Sequence, residues 1–219
     1  MKKLFYLISL SITLCIQGCG GNGSTTSIKE KQDSIANVKA DSIAATEKAI
    51  ADSIALIKAK EKKETIAKLA NNFREKKDEF SDFSWIEHKN TTPYRNYNSI
   101  HLNFQKDKNG NVQNLRFVVQ YEDDDWLFIR NMIFNIDGEN VTFVPNEMER
   151  DNDYGRIWEW SDEPASFEPS LVEKIANSKA VKVKFNGDQY YDTRTMSSKQ
   201  ITAFKQTIEY YKALGGSLK

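Results

Sequence analysis

The chain has 219 residues with 31 basic and 31 acidic side chains, so its formal net charge is zero. No Lys/Arg stripe with interleaved aromatics occurs, which removes the electrostatic footprint of a nucleic-acid binder. The two cysteines, Cys15 and Cys19, stand near the amino terminus, and everything beyond them lacks the residues for a disulfide or a thiolate metal site.

Residues 1–18 have the order of a secretory signal: Lys2 and Lys3, a mostly apolar run Leu4 to Ile16, then small Gly18. The run falls short of the roughly 20 residues that a permanent spanning helix needs, so the segment is expected to be removed. Ile16-Gln17-Gly18-Cys19 resembles the lipobox of bacterial lipoproteins, with Gln17 where that pattern usually has a small or hydroxyl residue. The resemblance implies that the Cys19 thiol receives a diacylglycerol and that Cys19 becomes the new, acylated amino terminus, with fatty acids such as palmitate. Cys15 follows bulky Leu14, where the pattern needs Gly, Ala or Ser, so Cys19 is the expected lipidation site. Several acyl chains on one cysteine suffice for stable attachment, whereas one chain binds marginally. Loss of Lys2 and Lys3 leaves 29 basic against 31 acidic residues, so the mature chain is close to neutral.

Residues 19–27 continue as Gly20-Gly21-Asn22-Gly23-Ser24-Thr25-Thr26-Ser27, the composition of a flexible tether. A surface-export signal in some Bacteroidetes lipoproteins places acidic residues just after the cysteine. Here those positions are Gly and Asn, which favours a periplasm-facing location over a surface-exposed one.

Residues 28–80 contain no Pro and no Gly, are rich in Ala, Lys and Glu, and carry an imperfect repeat: Asp33-Ser34-Ile35-Ala36, Asp41-Ser42-Ile43-Ala44 and Asp52-Ser53-Ile54-Ala55. A long helix is expected over the whole range, on the order of 75 Å. Ile43 and Ile54 are eleven residues apart and share a side, and the stripe continues through Ile50, Ile57, Ile66, Leu69 and Phe73. Such mixed spacing gives one thin apolar seam without a strict heptad. The helix either stands as a solvated spacer, supported by pairs such as Glu64 and Lys68, or self-associates as a coiled coil.

At Ser84-Trp85 the composition changes: all four tryptophans and all four prolines lie beyond this point. Residues 85–219 are expected to form one globular domain. Period-two apolar runs mark strands near residues 99–105, 114–121, 126–137, 140–144, 156–160, 181–185 and 189–191. Asp107-Lys108-Asn109-Gly110-Asn111, Asp137-Gly138 and Asn186-Gly187 supply the hairpin turns between them, so the sheet is mainly antiparallel. Ser170 with Glu173, and Ser197 with Gln200, have capping-box spacing and open two helices, the second ending at Gly215-Gly216. The expected fold is α+β: a mainly antiparallel sheet with two helices, preceded by the long amino-terminal α-helix.

Chemistry-bearing motifs are sparse. Glu122-Asp123-Asp124-Asp125 offers four carboxylates, but calcium loops alternate ligands and bend at glycine, so a solvated turn is expected. Asp151-Asn152-Asp153-Tyr154-Gly155 alternates better, yet Arg156 occupies the place of the bending glycine. His88 and His101 have no Cys, Ser or carboxylate partner at a diagnostic spacing. No nucleophile elbow, phosphate loop or His-Glu-x-x-His occurs, so neither a catalytic residue, a metal nor a cofactor is assigned. In Trp158-Glu159-Trp160, strand alternation puts both indoles on one face and Glu159 on the other. Exposed, Trp158 and Trp160 would stack a sugar, peptide or aromatic ligand; buried, they are core.

The runs Asp125-Trp126-Leu127-Phe128-Ile129, Arg150-Asp151-Asn152, Arg156-Ile157-Trp158-Glu159-Trp160 and Tyr210-Tyr211-Lys212-Ala213-Leu214-Gly215-Gly216 resemble a bacterial domain of envelope lipoproteins, often of Bacteroidetes. The likeness covers residues 85–216 and brings no activity with it. The order of anchor, spacer and module leads to the expectation of a non-enzymatic, lipid-anchored envelope protein. Its stalk presents a domain that binds an envelope protein or other component. A structural role with oligomerisation through the helix is the alternative, and a hydrolase with an unrecognised site a weaker one.

Overall fold

A computed structural model describes residues 25–77 and 79–218, with side chains from residue 42 onward. The expectations for the signal 1–18, for Cys19 and for residues 19–24 of the tether lie outside the described residues. The described residues divide into two units, on either side of the boundary between Leu56 and Ile57.

Helix α1 spans Thr25–Ala70, so it begins inside the expected tether and stops well before residue 80. Every side chain from Ser42 to Thr65 is exposed. Ile66, Leu69 and Ala70 instead pack against the core of the domain. The helix ends at Asn71-Asn72, two weak helix formers, where the Asn72 N–H donates to the Leu69 carbonyl at 2.8 Å. Phe73 then leaves the helical seam and becomes a core ring, 4.7 Å from Tyr210 and 5.1 Å from His88 between centroids.

The strands are β1 Phe73–Lys77, β2 Phe83–His88, β3 Ser99–Asp107, β4 Val112–Asp123, β5 Asn131–Ile136, β6 Glu139–Phe143, β7 Glu149–Asp153, β8 Arg156–Pro164, β9 Val181–Asn186 and β10 Tyr191–Thr195. Helix α2 is Pro169–Asn177 and α3 is Ser198–Ala213. A six-stranded sheet runs β1-β2-β3-β4-β8-β7 and a four-stranded sheet runs β10-β9-β5-β6. Every strand pair is antiparallel, so the domain is α+β with antiparallel sheets, split in two where one was expected.

Phe117 of β4 shows how the layers meet. Its ring lies 5.4 Å from Phe143 and 6.1 Å from Phe134 in the four-stranded sheet, and 6.0 Å from Phe204 in α3. The small sheet and α3 therefore cover the same face of the large sheet, and these fully buried rings form the centre of the core. The capping box at α3 is present: Ser197 Oγ accepts from the Gln200 N–H, and Gln200 Oε1 accepts from the Ser197 N–H at 2.8 Å. The box expected at Ser170 is not formed. Helix α2 starts two residues earlier with Pro169 in its first turn, so Glu168 becomes the N-cap and makes no side-chain cap.

Residues 126–130, expected to extend a strand, are irregular. Phe128 has φ of 55°, in the left-handed region that a bulky residue seldom adopts. A buried carboxylate explains that conformation.

Candidate functional site

Alternation along β8 puts Ile157, Glu159, Ser161 and Glu163 on the core side and Trp158, Trp160 and Asp162 on the opposite side. Both indoles are half-buried. They are neither core nor a free platform. The guanidinium carbon of Arg95, in the loop of residues 89–98, lies 5.7 Å from the Trp160 ring centroid. Arg95 also pairs with Asp162 at 2.8 Å, and Arg116 pairs with the same carboxylate at 2.8 Å. Burial alone would raise the Asp162 carboxyl; hydrogen bonds from Arg95 and Arg116 outweigh it and hold the group below the usual range. Loop 89–98 is thus fastened over the outer face of the sheet, with the side chain of Asn98 donating to the Glu122 carbonyl at 2.8 Å.

Glu159 is fully buried, and its placement answers the irregularity at residues 126–130. Oε1 accepts from the backbone N–H of Leu127 at 2.9 Å and of Phe128 at 2.8 Å; Oε2 accepts from Ile129 at 2.9 Å and from Arg150 Nε at 2.9 Å. Three consecutive amides turned to one anion form a nest, which forces the chain through the left-handed region at Phe128. The Phe128 ring is then held by Trp126, 5.8 Å away and stacked, and by the Arg150 guanidinium at 5.6 Å. Sequence reasoning assigned Glu159 to the face opposite the tryptophans but gave it no role. A lone carboxylate at a core position of an alternating strand was the available signal, since buried charges are paired.

Both histidines are buried. His88 Nδ1 accepts from the Asn90 N–H at 3.1 Å, which leaves Nε2 to donate to Gln206 Oε1 at 2.8 Å. His101 Nδ1 lies 3.0 Å from Ser99 Oγ, a serine partner two residues along the strand that sequence reasoning missed. Burial first, and then the Arg95 charge, push the His101 imidazole down to about 3, with Asp162 opposing and Arg74 adding to the effect. Such an imidazole is neutral at pH 7.

Ser99 and His101 form part of the wall of a cleft between loop 89–98, the start of β3 and the amino-terminal turn of α3. A cavity of about 310 Å³ there includes Tyr97, Asn98, Ser99, His101, Lys199 and Gln200 in its lining. A neighbouring one of about 220 Å³ shares Asn98, Ser99, Ile100 and Gln200 and adds Gln120 and Arg194. Gln120 is buried, and its Oε1 has no hydrogen-bond partner. A wider depression beside the β1–β2 and β3–β4 turns is lined by Lys106, Lys108, Asp82 and Trp85, among others. There Lys106 pairs with Glu75 and Lys108 with Asp82.

The acidic runs are divided among arginines. Glu122 and Asp124 pair with Arg156, and Asp123 with Arg194 at 2.7 Å. Asp151 to Gly155 is the β7–β8 hairpin, with Tyr154 and Gly155 at positive φ in a two-residue turn. Among the described residues no group of three or more His, Cys, Asp or Glu is placed to hold a metal ion. No described helix is long and apolar enough to cross a membrane.

No protein-family model, no curated protein and no solved structure matches the chain.

Proposed function

We propose that the protein is a lipid-anchored component of the bacterial cell envelope, held to the membrane through acylated Cys19, whose helical stalk presents a non-enzymatic binding domain. The observation that carries the reading is the lysine pair, short apolar run and Ile16-Gln17-Gly18-Cys19 sequence at the amino terminus. The exposed, uninterrupted helix that follows supports the spacer role, because a helix whose side chains from Ser42 to Thr65 are all exposed is a spacer rather than a core element. The domain faces the periplasm and contacts an envelope protein or other envelope component.

A second reading has its own observation. Ile43, Ile50, Ile54 and Ile57 follow one another at steps of seven, four and three residues, and each is about half exposed or more, at 58%, 55%, 47% and 58%. This short seam would pair with a second copy as a coiled coil, and the protein would then serve assembly. Crosslinking in intact cells distinguishes the two. Adducts with other proteins are expected for the binding role, whereas adducts only between copies of this chain would replace it with assembly.

A further inference from the structure

We propose that the outer face of the six-stranded sheet around Trp158 docks an extended protein segment that carries Lys or Arg at every second residue. The proposal rests on the reading of the domain as a binding module and gives that module a surface and a partner chemistry. The surface is aromatic. Trp158 and Trp160 share this face of β8 and are half-buried. Loop 89–98, fastened across the same face, turns Tyr94 and Tyr97 outward, 62% and 54% exposed, with ring centroids 6.1 Å apart. Arg95 on Trp160, and Asn98 on Glu122 directly opposite Trp158, bring the loop beside the indoles. Tyr, Trp and Arg gathered in one exposed patch have the composition of interface anchors rather than of ordinary surface.

Charge selects the partner. Arg95 shows how this face holds a cation: its guanidinium carbon lies 5.7 Å from the centre of the Trp160 ring, and its Nη2 lies 2.8 Å from the Asp162 carboxylate. The same pairing of indole and carboxylate recurs at Trp158 without a cation. Asp151 of β7 stands directly opposite Trp158, and Glu149 stands opposite Trp160. Neither carboxylate has an ion-pair partner among the described residues. The arginines of β7 and β8 are committed, Arg150 to Glu159 and Arg156 to Glu122 and Asp124. Uncompensated negative charge beside half-exposed indole surface attracts cations and disfavours anions.

Spacing selects an extended segment. Glu149 and Asp151 are two residues apart on one fully exposed strand, so their side chains emerge on one side roughly 7 Å apart. A second extended chain lying along β7 repeats that distance at every second residue. It sets successive ammonium or guanidinium groups against the two carboxylates, with one of them over the Trp158 indole. A small free cation meets only one carboxylate of the row and gains only part of this attraction.

The test uses the full-length chain, labelled for backbone and indole NMR and titrated with short peptides to concentrations on the order of 1 mM. One peptide alternates Lys and Thr, a second holds the same residues in two blocks, and a third alternates Glu and Thr. The alternating Lys peptide is expected to shift the Trp158 indole N–H and the amides of Glu149 and Asp151. The blocked peptide should bind at least about threefold more weakly, and the Glu peptide should have no effect. Glu149→Gln combined with Asp151→Asn should weaken binding at least about tenfold and leave the melting temperature unchanged, because both residues are exposed and Asn keeps the acceptor that Asp151 offers the Asn152 N–H. Trp158→Leu should weaken binding similarly, and the carboxylate pair keeps the test decisive should that variant fold poorly. Absence of shifts with the Lys peptide, an equal response to the blocked or the Glu peptide, or binding that survives the carboxylate substitutions overturns the proposal. Shifts of the same residues on raising the protein concentration alone also overturn it, since a second copy of the chain would then cover the face. Adducts with envelope proteins in the cellular crosslinking experiment, together with no peptide binding here, would remove this surface and leave the binding-module reading intact. Absence of both would remove both.

Discussion

Acidification should destabilise the domain through His101 in a way that can be separated from every other titration. The imidazole is pushed down to about 3 by burial and by Arg95, against an ordinary imidazole value of 6.5. Because the folded value lies below the unfolded one, the unfolded chain takes up the proton first. The contribution is complete above about pH 6.5 and is lost as the pH falls from there toward 3. Each pH unit within that window is worth about 1.4 kcal/mol, so at pH 5 the loss is about 2 kcal/mol, and about 5 kcal/mol if the window is crossed entirely. The assay is denaturant unfolding of the full-length protein near pH 7.5 and near pH 5, compared with His101→Gln, which keeps a hydrogen-bonding side chain opposite Ser99. The parent should lose about 2 kcal/mol more than the variant between those two conditions. Parallel losses would refute the reasoning, since they would mean that His101 is not held neutral by its surroundings.

Two further substitutions probe the staple at residues 126–130. Glu159→Ala leaves Arg150 and three backbone amides without their anion and should cost about 3–5 kcal/mol; a loss under about 1 kcal/mol in urea unfolding would show that the nest does not depend on it. Gly187→Ala drives a Cβ into the Leu127 carbonyl oxygen. It should lower stability by about 2–3 kcal/mol in the same measurement, because backbone rather than a flexible side chain must yield.

The legible parts of this fold were those that bury one face. β5 and β9 alternate apolar and polar residues, and the apolar positions are the buried ones; β8 also alternates in burial but turns Glu159 rather than the tryptophans to the core, and β4 buries five residues in succession. Asp137-Gly138 was read as a turn for the right reason, since both residues take positive φ. Asn186-Gly187 also marks a turn, but Gly187 is needed there for the close approach of Leu127 rather than for a left-handed conformation.

Three strands of the six-stranded sheet escaped notice: its two edges, β1 and β7, and β2 beside β1. β1 has a single buried residue, Phe73, at the end of a run of charges that reads as helix, and all five residues of β7 are exposed. Charged edge strands protect a sheet from unwanted pairing, and the same property erases the hydrophobic pattern by which strands are recognised. Residues 126–130 misled for another reason. Trp126-Leu127-Phe128-Ile129 has strand-forming side chains, but its amides are taken by Glu159, a partner 30 to 32 residues away that no local pattern announces.

The recess beside α3 was invisible in the sequence because its walls come from separate segments. Tyr97 and Asn98 end loop 89–98, Ser99 opens β3, Gln120 pairs with Ser99 from β4, and Gln200 arrives with α3. Trp158 and Trp160, by contrast, announced themselves in the text and share a face as alternation requires. What the text did not contain was Arg95, which covers Trp160 from a loop more than sixty residues earlier.

The central claim, that this domain is presented from a membrane by a lipid on Cys19, is tested most directly by mass spectrometry of the mature amino terminus from cells expressing the parent or Cys19→Ala. The parent should begin at Cys19, carry a diacylglycerol adduct with fatty acyl chains, and sediment with membranes, and Cys19→Ala should lose both the adduct and the membrane association. A mature terminus elsewhere, an unmodified Cys19, or a Cys19→Ala protein that still bears acyl chains would contradict the account.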